Sequence, residues 1–419
     1  MRKLKIAIIG SGISGLSASW VLAKKYNIDL YEKNSYFGGH ANTVNVKLKS
    51  KSEFNVDTGF IVFNEINYPN LCKLFDELDV KTYSSDMSFS ASINNGKLEY
   101  SGSNFASLFA QKKNIININF LKMLFEIVKF YNNVENDSYK FQEISIEEYL
   151  QIKKYSRFFK HNHIYPMASS IWSSSLEEIK KYPFKQFVNF FSNHGLLRLI
   201  NRPKWKTVLN GSQEYVKKII SNPKINAIKN VNAKIINFKN NKVVLKIGES
   251  EIKYDHLILA THSDQVKEIN KIINFDEKIV FDDIKYTKNQ VYLHTDNKFM
   301  PKIKKAWASW NYLESDVKGK LSVTYWMNKL QKLNTKTDIF VTLNPYTKPE
   351  TNKIIKKILY HHPLYDKKTF AAQKKISLIQ GRNNIWYCGA YLGYGFHEDG
   401  IRSGIDVANR IMRKYHGTN

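Results

Sequence analysis

The chain has 419 residues, of which 43% are hydrophobic, so it is long enough for two or three globular domains. Its formal charge of +27 is spread over every segment, which favours a generally basic surface over a nucleic-acid site and leaves attraction to anionic lipid as the alternative. The only two cysteines, Cys72 and Cys388, lack metal-ligand or CxxC spacing, so we expect no metal site, no disulfide framework and a cytoplasmic location.

The first motif lies at the N-terminus. Lys5 to Ile9 is an apolar run that predicts a buried parallel strand, and Gly10-Ser11-Gly12-Ile13-Ser14-Gly15 follows it directly. A predicted helix and a second strand come next, and that strand ends in Glu32, twenty positions after Gly12. This spacing is typical of a dinucleotide-binding βαβ unit, in which the acid binds the adenosine ribose. A coincidental glycine turn is the alternative.

Each glycine has a different role in such a unit. Gly10 permits the tight turn, Gly12 lets the backbone approach the pyrophosphate, and Gly15 lets the helix pack closely on the strand.

The residues after Glu32 resemble a flavoprotein segment. Lys33-Asn34-Ser35-Tyr36-Phe37-Gly38-Gly39-His40-Ala41-Asn42-Thr43 resembles the stretch that continues along the FAD pyrophosphate in glutathione-reductase-like and amine-oxidase-like flavoproteins. That family usually has arginine where this chain has His40, so the resemblance implies a neutral donor there. Val56-Asp57-Thr58-Gly59-Phe60 resembles the family's strand and loop beside the isoalloxazine ring.

Two later regions resemble the rest of such a domain. Residues 233–238 and 242–247 predict strands, and Tyr254 to His262 resembles the family's return strand; an ordinary meander is the alternative. Near the C-terminus, Ile385 to Tyr391 predicts a strand and Gly-rich loop, followed by a helix from Ile401 whose N-terminus faces the flavin. Tyr391 stands where the family has an acid for the ribityl chain.

Taken together, these motifs resemble FAD-dependent amine oxidoreductases, and more narrowly the bacterial predicted NAD/FAD-binding proteins associated with cyclopropane-fatty-acid-synthase-like enzymes. The resemblance implies an α/β fold: a Rossmann-type, glutathione-reductase-like FAD-binding domain with an inserted α+β substrate domain. Residues 1–90, 203–275 and 376–419 are assigned to the former, and 91–202 and 276–375 to the latter. We expect the first insertion to be helical and the second to hold strands at 290–295 and 321–327 and a helix near 353–360.

The resemblance implies non-covalent FAD, since no cysteine occupies the position used for thioether attachment in some relatives. The residues expected to hold it are Gly10, Gly12, Ser14, Gly15, Glu32, Lys33, Gly39, His40, Asn42, Thr43, Thr58, Gly59, Phe60, Ala233, Lys234, Ala260, Thr261, Gly389, Ala390, Tyr394, Gly395, Phe396 and His397.

The catalytic candidates are fewer. A hydride transfer to FAD needs a dry cavity, which the aromatic residues are suited to line: Trp307, Trp310, Tyr325, Trp326, Tyr391, Tyr394 and Phe396. Trp310, His397, His294 and Lys288 are the candidates for catalysis; structural histidines and a chance lysine are the alternatives.

Two classes of function remain open. The first is an oxidoreductase acting on an apolar, fatty-acyl-like substrate, with a small amine as the alternative substrate. The second is a flavin-binding scaffold without turnover.

The stretch from Ile115 to Phe130 has apolar residues at helical spacing beside lysines. Lys122 and Glu126 interrupt it, so it does not predict a membrane-spanning helix. It predicts either peripheral docking on an anionic membrane or an ordinary core helix.

Overall fold

The structure, a computed structural model, describes residues 4–48, 53–172, 175–198, 202–316 and 321–416; Met1 to Lys3, before the first predicted strand, lie outside these ranges. The strands are β1 Lys5–Ile9, β2 Asn27–Tyr31, β3 Thr43–Lys47, β4 Glu53–Asp57, β5 Phe63–Asn64, β6 Thr82–Ser84, β7 Phe89–Ile93, β8 Leu98–Ser101, β9 Trp205–Val208, β10 Ile225–Ile228, β11 Ala233–Lys239, β12 Lys242–Ile247, β13 Ser250–Tyr254, β14 His256–Leu259, β15 Tyr286–His294, β16 Trp310–Glu314, β17 Leu321–Trp326, β18 Phe340–Leu343, β19 Ile354–Pro363 and β20 Ile385–Tyr387. The helices are α1 Ile13–Leu22, α2 Pro69–Glu77, α3 Phe105–Leu108, α4 Ile118–Lys140, α5 Ile146–Ile152, α6 Arg157–Phe159, α7 Tyr165–Trp172, α8 Leu176–Lys180, α9 Phe184–Asn193, α10 Gln213–Ile220, α11 Val266–Ile269, α12 Phe275–Asp282, α13 Met327–Leu330, α14 Lys367–Ile379 and α15 His397–His416.

A five-stranded parallel sheet, in the order β10-β2-β1-β14-β20, forms the centre of the first domain. The apolar residues of β1 are buried because helices α1, α10 and α15 cover one face of this sheet. The antiparallel meander β11–β13 and helices α12 and α14 cover the other face. This arrangement confirms the Rossmann-type α/β fold expected from the glycine turn and its flanking strands.

Helices α1 and α15 pack unusually closely. A Cβ atom at Gly400 would lie 2.6 Å from Ile13 Cγ2, and one at Gly404 would lie 2.2 Å from the carbonyl oxygen of Ser14. The two glycines therefore let the backbones of helices α1 and α15 approach closely. Helix α15 begins at His397, four residues before the expected start at Ile401.

The second domain is built on a seven-stranded sheet in the order β19-β15-β18-β17-β16-β7-β8. Strands β7 and β8 come from the start of the first insertion and β15–β19 from the second, so the two segments form one structural unit. Helices α4–α9 pack against β7, β8 and β16. Residues of β3, β4 and the following loop pack against β15, β17 and β18, which joins the two domains.

The expected helix near residues 353–360 is wrong. Ile354, Ile355, Ile358 and Leu359 have helical spacing, but the segment forms strand β19, which pairs with β15 along its length. The lysines at 356 and 357 are exposed, as befits an edge strand. Long-range pairing has overridden the local periodicity.

Two helices within the second insertion pack on the first domain. Phe281 of α12 and Ala372 and Ile376 of α14 lie in the same core as Leu257 and Ile385 of the parallel sheet. Within the described residues, no helix is both long and apolar enough to cross a membrane.

We expect Gly404→Ala to destabilise the protein by about 1–3 kcal/mol, because the new methyl group would meet backbone rather than a flexible side chain. Gly102→Ala is the control, since a Cβ there meets nothing within 4 Å. Urea unfolding measures both. Equal unfolding midpoints for the two variants would show that the α1–α15 contact is not tight.

Candidate functional site

A cavity of about 1170 Å³ lies between the two domains. On one side it is lined by residues that follow the carboxyl ends of the parallel strands, including Gly10, Glu32, Ala260 and Gly389. The opposite side is formed by residues of the seven-stranded sheet. Its position is the usual ligand site of an open α/β sheet, and its volume exceeds the roughly 300–1000 Å³ of an ordinary ligand pocket. There is room for a dinucleotide and a second molecule.

The glycines of the turn have two different roles: some are required by packing within the protein, and one leaves space for a ligand. Gly10 has a φ of +101°, and a Cβ there would lie 2.6 Å from the carbonyl oxygen of Ala260. A Cβ at Gly15 would lie 1.9 Å from the carbonyl oxygen of Gly10. These two glycines are required by the protein itself. A Cβ at Gly12, by contrast, meets no protein atom within 4 Å and enters the cavity, so the space beside Gly12 is available to a ligand.

The N-terminus of α1 is open to that space. Gly12 is its N-cap, no side chain caps it, and its first turn has no acidic residue. The free N–H groups and the positive end of the helix dipole therefore remain available to an anion in the cavity.

Glu32 is buried beside this helix end. Its Oε2 accepts hydrogen bonds from the Ser11 amide at 3.0 Å and the Ser11 hydroxyl at 2.6 Å, and its Oε1 accepts one from the Asn34 amide at 2.8 Å. A carboxylate has about four acceptor positions, so capacity remains for a ligand hydroxyl.

Four histidines meet next to the glycine turn. The His40 ring lies 5.3 Å from that of His362 and 6.3 Å from that of His262, and His361 lies 6.4 Å from His262. Within the described residues, His40 Nε2, His262 Nδ1 and His361 Nε2 are enclosed without a hydrogen-bond partner. Such atoms indicate a polar ligand, because leaving buried donors unsatisfied is costly.

The pKa values of three of these histidines, His40, His262 and His362, are lowered. Burial, together with the neighbouring histidines, lowers the pKa of His40 well below its usual value and that of His362 to about 4. Burial also lowers the pKa of His262. The neutral donor expected at His40 in place of arginine is therefore consistent with its surroundings.

The C-terminal loop is shaped by Asp399. Its Oδ2 accepts hydrogen bonds from the amides of Tyr394 at 2.9 Å and Phe396 at 3.1 Å. Gly395, with a φ of +90°, allows the turn between them. Because Asp399 and Glu398 occupy the first turn of α15, this helix end already carries its own negative charges, unlike that of α1.

His397 lies in the cavity wall at the start of α15. Its Nε2 is hydrogen-bonded to the Tyr215 hydroxyl at 2.6 Å, and its ring stacks on Phe60 at 3.7 Å. Burial lowers the pKa of His397 to about 3. It is thus a neutral, fixed side chain that holds Phe60 in place.

Most of the residues expected to hold the cofactor line this cavity. They are Gly10, Gly12, Ser14, Glu32, Lys33, Gly39, His40, Thr58, Gly59, Phe60, Ala233, Lys234, Ala260, Thr261, Gly389, Ala390, Gly395, Phe396 and His397.

Gly15, Asn42, Thr43 and Tyr394 are not part of the lining. Asn42 Nδ2 donates to the Tyr360 hydroxyl at 2.9 Å. The Thr43 hydroxyl donates to Asp57 at 2.6 Å. Their positions are those of residues that support the wall.

Asp57 connects the two domains by hydrogen bonds. In the sequence it was indicated only as part of the motif Val56-Asp57-Thr58-Gly59-Phe60. It accepts hydrogen bonds from the Ser212 amide at 2.9 Å and from Gln331 Nε2, in the second insertion, at 2.9 Å. Burial raises the pKa of Asp57 to about 6.

The four catalytic candidates occupy different places. Trp310 and His397 line the cavity, and Trp310 Nε1 has no partner among the described residues. His294 and Lys288 are not part of the lining. The His294 ring is fully buried in the sheet, where Nδ1 accepts from the Asp296 amide at 3.0 Å and Nε2 donates to the Thr342 hydroxyl at 2.7 Å. Its position is that of a structural histidine.

The far end of the cavity, which we call the chamber, is mainly apolar. Its lining includes Phe89, Met167, Ile171, Phe190, Leu196, Trp310 and Tyr325. Of the aromatic residues expected to wall a cavity, Trp310, Tyr325, Tyr391 and Phe396 do so, whereas Trp307, Trp326 and Tyr394 are outside the lining.

Sequence reasoning missed several lining residues, above all His361 and His362. They lie at the end of β19, just after the segment expected to be helical. The fold of the second domain brings them next to the glycine turn, which is distant in the sequence. No group of three metal-ligating side chains is placed to hold a metal ion in the part of the chain that the structure describes.

Comparisons with known proteins agree with this geometry. Residues 8–78 match the family model of the NAD(P)-binding Rossmann-like domain. The CLA-producing fatty acid isomerase from P. acnes superposes with a TM-score of 0.71 at 15% identity, covering 98% of this chain and 99% of the isomerase.

Two amine oxidases are similar in structure as well. Cyclohexylamine oxidase from Brevibacterium oxydans has a TM-score of 0.68 at 13% identity, covering 99% of both chains. Putrescine oxidase bound to putrescine has a TM-score of 0.66 at 12% identity, covering 98% of this chain and 99% of the oxidase. No curated protein matches the sequence. At these identities the likeness establishes the fold.

The buried His294 predicts a pH dependence of stability. Burial lowers the pKa of His294 to about 4, so below about pH 6.5 the unfolded chain binds a proton that the folded chain does not. Its contribution to stability is lost as the pH falls from about 6.5 to 4, by at most about 1.4 kcal/mol per pH unit. We expect His294→Gln to flatten the pH dependence of the urea-unfolding free energy in this range. An unchanged slope would show that His294 binds a proton equally readily in the folded and the unfolded chain.

Proposed function

We propose, from the fold of the FAD-dependent amine oxidase superfamily that this chain has, that it is an FAD-dependent oxidoreductase acting on a C–H bond of an apolar, fatty-acyl-like substrate. The observation that carries the proposal is a single cavity that joins an open helix end and a buried acid to an apolar chamber.

The nucleotide end fits FAD. The α1 N–H groups and the space beside Gly12 would take the diphosphate, and Glu32 would take the ribose hydroxyls. Neither cysteine lines the cavity, and Cys388 is fully buried in the core beside β20, which supports non-covalent binding.

When bound, FAD supplies the acceptor for a hydride equivalent from the substrate. The side chains of this protein provide the surroundings that such a transfer needs. The aromatic lining of the chamber excludes water, and the neutral His397 holds Phe60 against the wall. The low pKa of His397 means that it is not a proton acceptor at neutral pH.

The charges of the chamber favour an acyl chain with an acidic head over an amine. Arg202 and Lys204 line it, together with Asp86. Asp86 lies 3.5 Å from Lys329 and accepts a hydrogen bond from the Ser309 hydroxyl, so its charge is already compensated. An ammonium group would meet no free carboxylate there, whereas a carboxylate would meet two cations.

A small amine is the second candidate substrate, because putrescine oxidase and cyclohexylamine oxidase have this fold. A flavin-binding scaffold without turnover is the third candidate. The apolar chamber beside the nucleotide end argues against it, since a scaffold needs no such space.

We expect Glu32→Ala to weaken FAD binding at least about tenfold, because one charge-assisted hydrogen bond contributes about 1.5–3 kcal/mol. FAD is measured in the supernatant after acid precipitation, which releases only non-covalent flavin. Glu251→Ala, at an exposed position of β13, is the control and should keep full occupancy.

Circular dichroism checks that the Glu32 variant is folded. Full FAD occupancy in a folded Glu32→Ala protein would show that the acid is misassigned, and flavin retained in the acid pellet would contradict non-covalent binding.

We expect a long-chain fatty acid to reduce the flavin under anaerobic conditions, seen as loss of its visible absorbance. Arg202→Gln combined with Lys204→Gln should raise the half-saturating concentration of the acid at least tenfold, because two cations that attract its carboxylate are removed. The methyl ester of the same acid is the matched control and should be unaffected. Reduction by putrescine and by no acyl compound would establish the amine oxidase instead, and reduction by neither would favour the scaffold.

A further inference from the structure

The helical part of the second domain exposes large apolar side chains on one side. Ile116 is 83% exposed, Ile118 80% and Phe125 70%, and Leu121 is also exposed. Exposed apolar residues gathered in one patch usually mark an interaction site.

Helix α4 has two opposite apolar faces. Phe120, Met123, Ile127 and Phe130 form the inner face and are buried in the core of the domain. Ile118, Leu121 and Phe125 follow each other at spacings of three and four residues and form the outer face. The inner face accounts for the core packing of the helix, so the outer face has no part in it.

The short helix α3 packs beside α4 and exposes a further aromatic residue. Phe105 is 76% exposed and contacts Phe109 at 4.9 Å between ring centroids, with the rings tilted. Phe109 in turn contacts Phe120 of α4 at 5.8 Å. We call the exposed apolar residues of these two neighbouring helices and of the turn before α4, Phe105, Ile116, Ile118, Leu121 and Phe125, the α3–α4 face.

The exposed charged residues of the segment from 105 to 134 are lysines. Lys112, Lys113, Lys122 and Lys129 are exposed at or beside it. The only acidic residue between positions 105 and 134 is Glu126, which is buried and accepts a hydrogen bond from the Ser156 amide at 2.9 Å. An apolar surface with a cationic surround matches an anionic lipid surface.

The α3–α4 face also lies next to the cavity. Gly102 and Ser103 line the cavity, and two residues later the chain reaches the exposed Phe105. A molecule that leaves a membrane at this face would therefore be close to the cavity wall.

We propose that the α3–α4 face docks the protein peripherally on an anionic lipid bilayer. A second copy of the chain fits less well, because pairing two such faces would bring their lysines together. The docking stands on the exposed side chains and their charges; only the delivery of a lipid substrate from the bilayer rests on the proposed function.

Co-sedimentation with vesicles tests the docking. The protein should bind vesicles of phosphatidylcholine and phosphatidylglycerol, bind pure phosphatidylcholine vesicles at least tenfold more weakly, and be released by high salt. Ile118→Ser combined with Phe125→Ser should reduce binding at least tenfold. The matched control is Leu378→Ser on α14, where an equally exposed leucine lies outside the face.

The charge is tested separately. Lys112→Glu combined with Lys122→Glu should reduce binding at least tenfold, whereas Lys239→Glu combined with Lys253→Glu, at exposed positions of the two outer strands of the meander, should change it much less. Equal loss in both pairs would overturn the proposal in favour of general charge attraction. Failure to bind vesicles, with dimerisation that Ile118→Ser and Phe125→Ser abolish, would assign the face to a second copy. Because vesicle binding needs no turnover, its failure is distinguishable from failure of the proposed function.

Discussion

The close contact between α1 and α15 is the constraint on which the candidate site depends. Gly400 and Gly404 remove the side chains that would hold the two helices apart, so α1 and α15 pack together on one face of the parallel sheet. Both helices then begin at the cavity. They differ in charge, because α15 carries Glu398 and Asp399 in its first turn and α1 carries no acid. Of the two helix ends, α1 is therefore the one that offers an unopposed positive dipole to an anion.

Glu398 and Asp399 have structural roles, which explain why α15 has acids in its first turn and α1 has none. Glu398 accepts hydrogen bonds from the amides of Asn70 and Leu71 at the beginning of α2, and Asp399 folds the loop before α15. The sequence pattern predicts that this helix end faces a flavin, and in the structure Gly395 and His397 line the cavity. Both acids accept hydrogen bonds from neighbouring backbone amides, however. This helix end therefore shapes the cavity wall and offers no unopposed charge to a ligand.

Local patterns were enough to predict the first domain. A buried strand, a glycine turn and a terminal acid impose their geometry within about thirty residues, and the structure has β1, α1, β2 and Glu32 where the pattern predicts them. The second domain depends on contacts between distant segments, and its sheet alternates strands from two insertions. For β19 the local signal pointed to a helix, because its isoleucines repeat at helical spacing, and only pairing with β15 reverses that preference. His361 and His362 follow the expected helix at the end of β19, and no local motif links them to the glycine turn.

The overall charge of +27 is a poor guide to where charge matters in this protein. Beside the glycine turn four histidines meet, and burial lowers the pKa of His40, His262 and His362. The free N–H groups of α1 lie at the same end of the cavity and are available to an anion. At the α3–α4 face the opposite holds: lysines are exposed, and the single acid is withdrawn into the core. The same composition thus yields a buried histidine cluster and a basic apolar surface, because burial disfavours the charged form of an ionisable group.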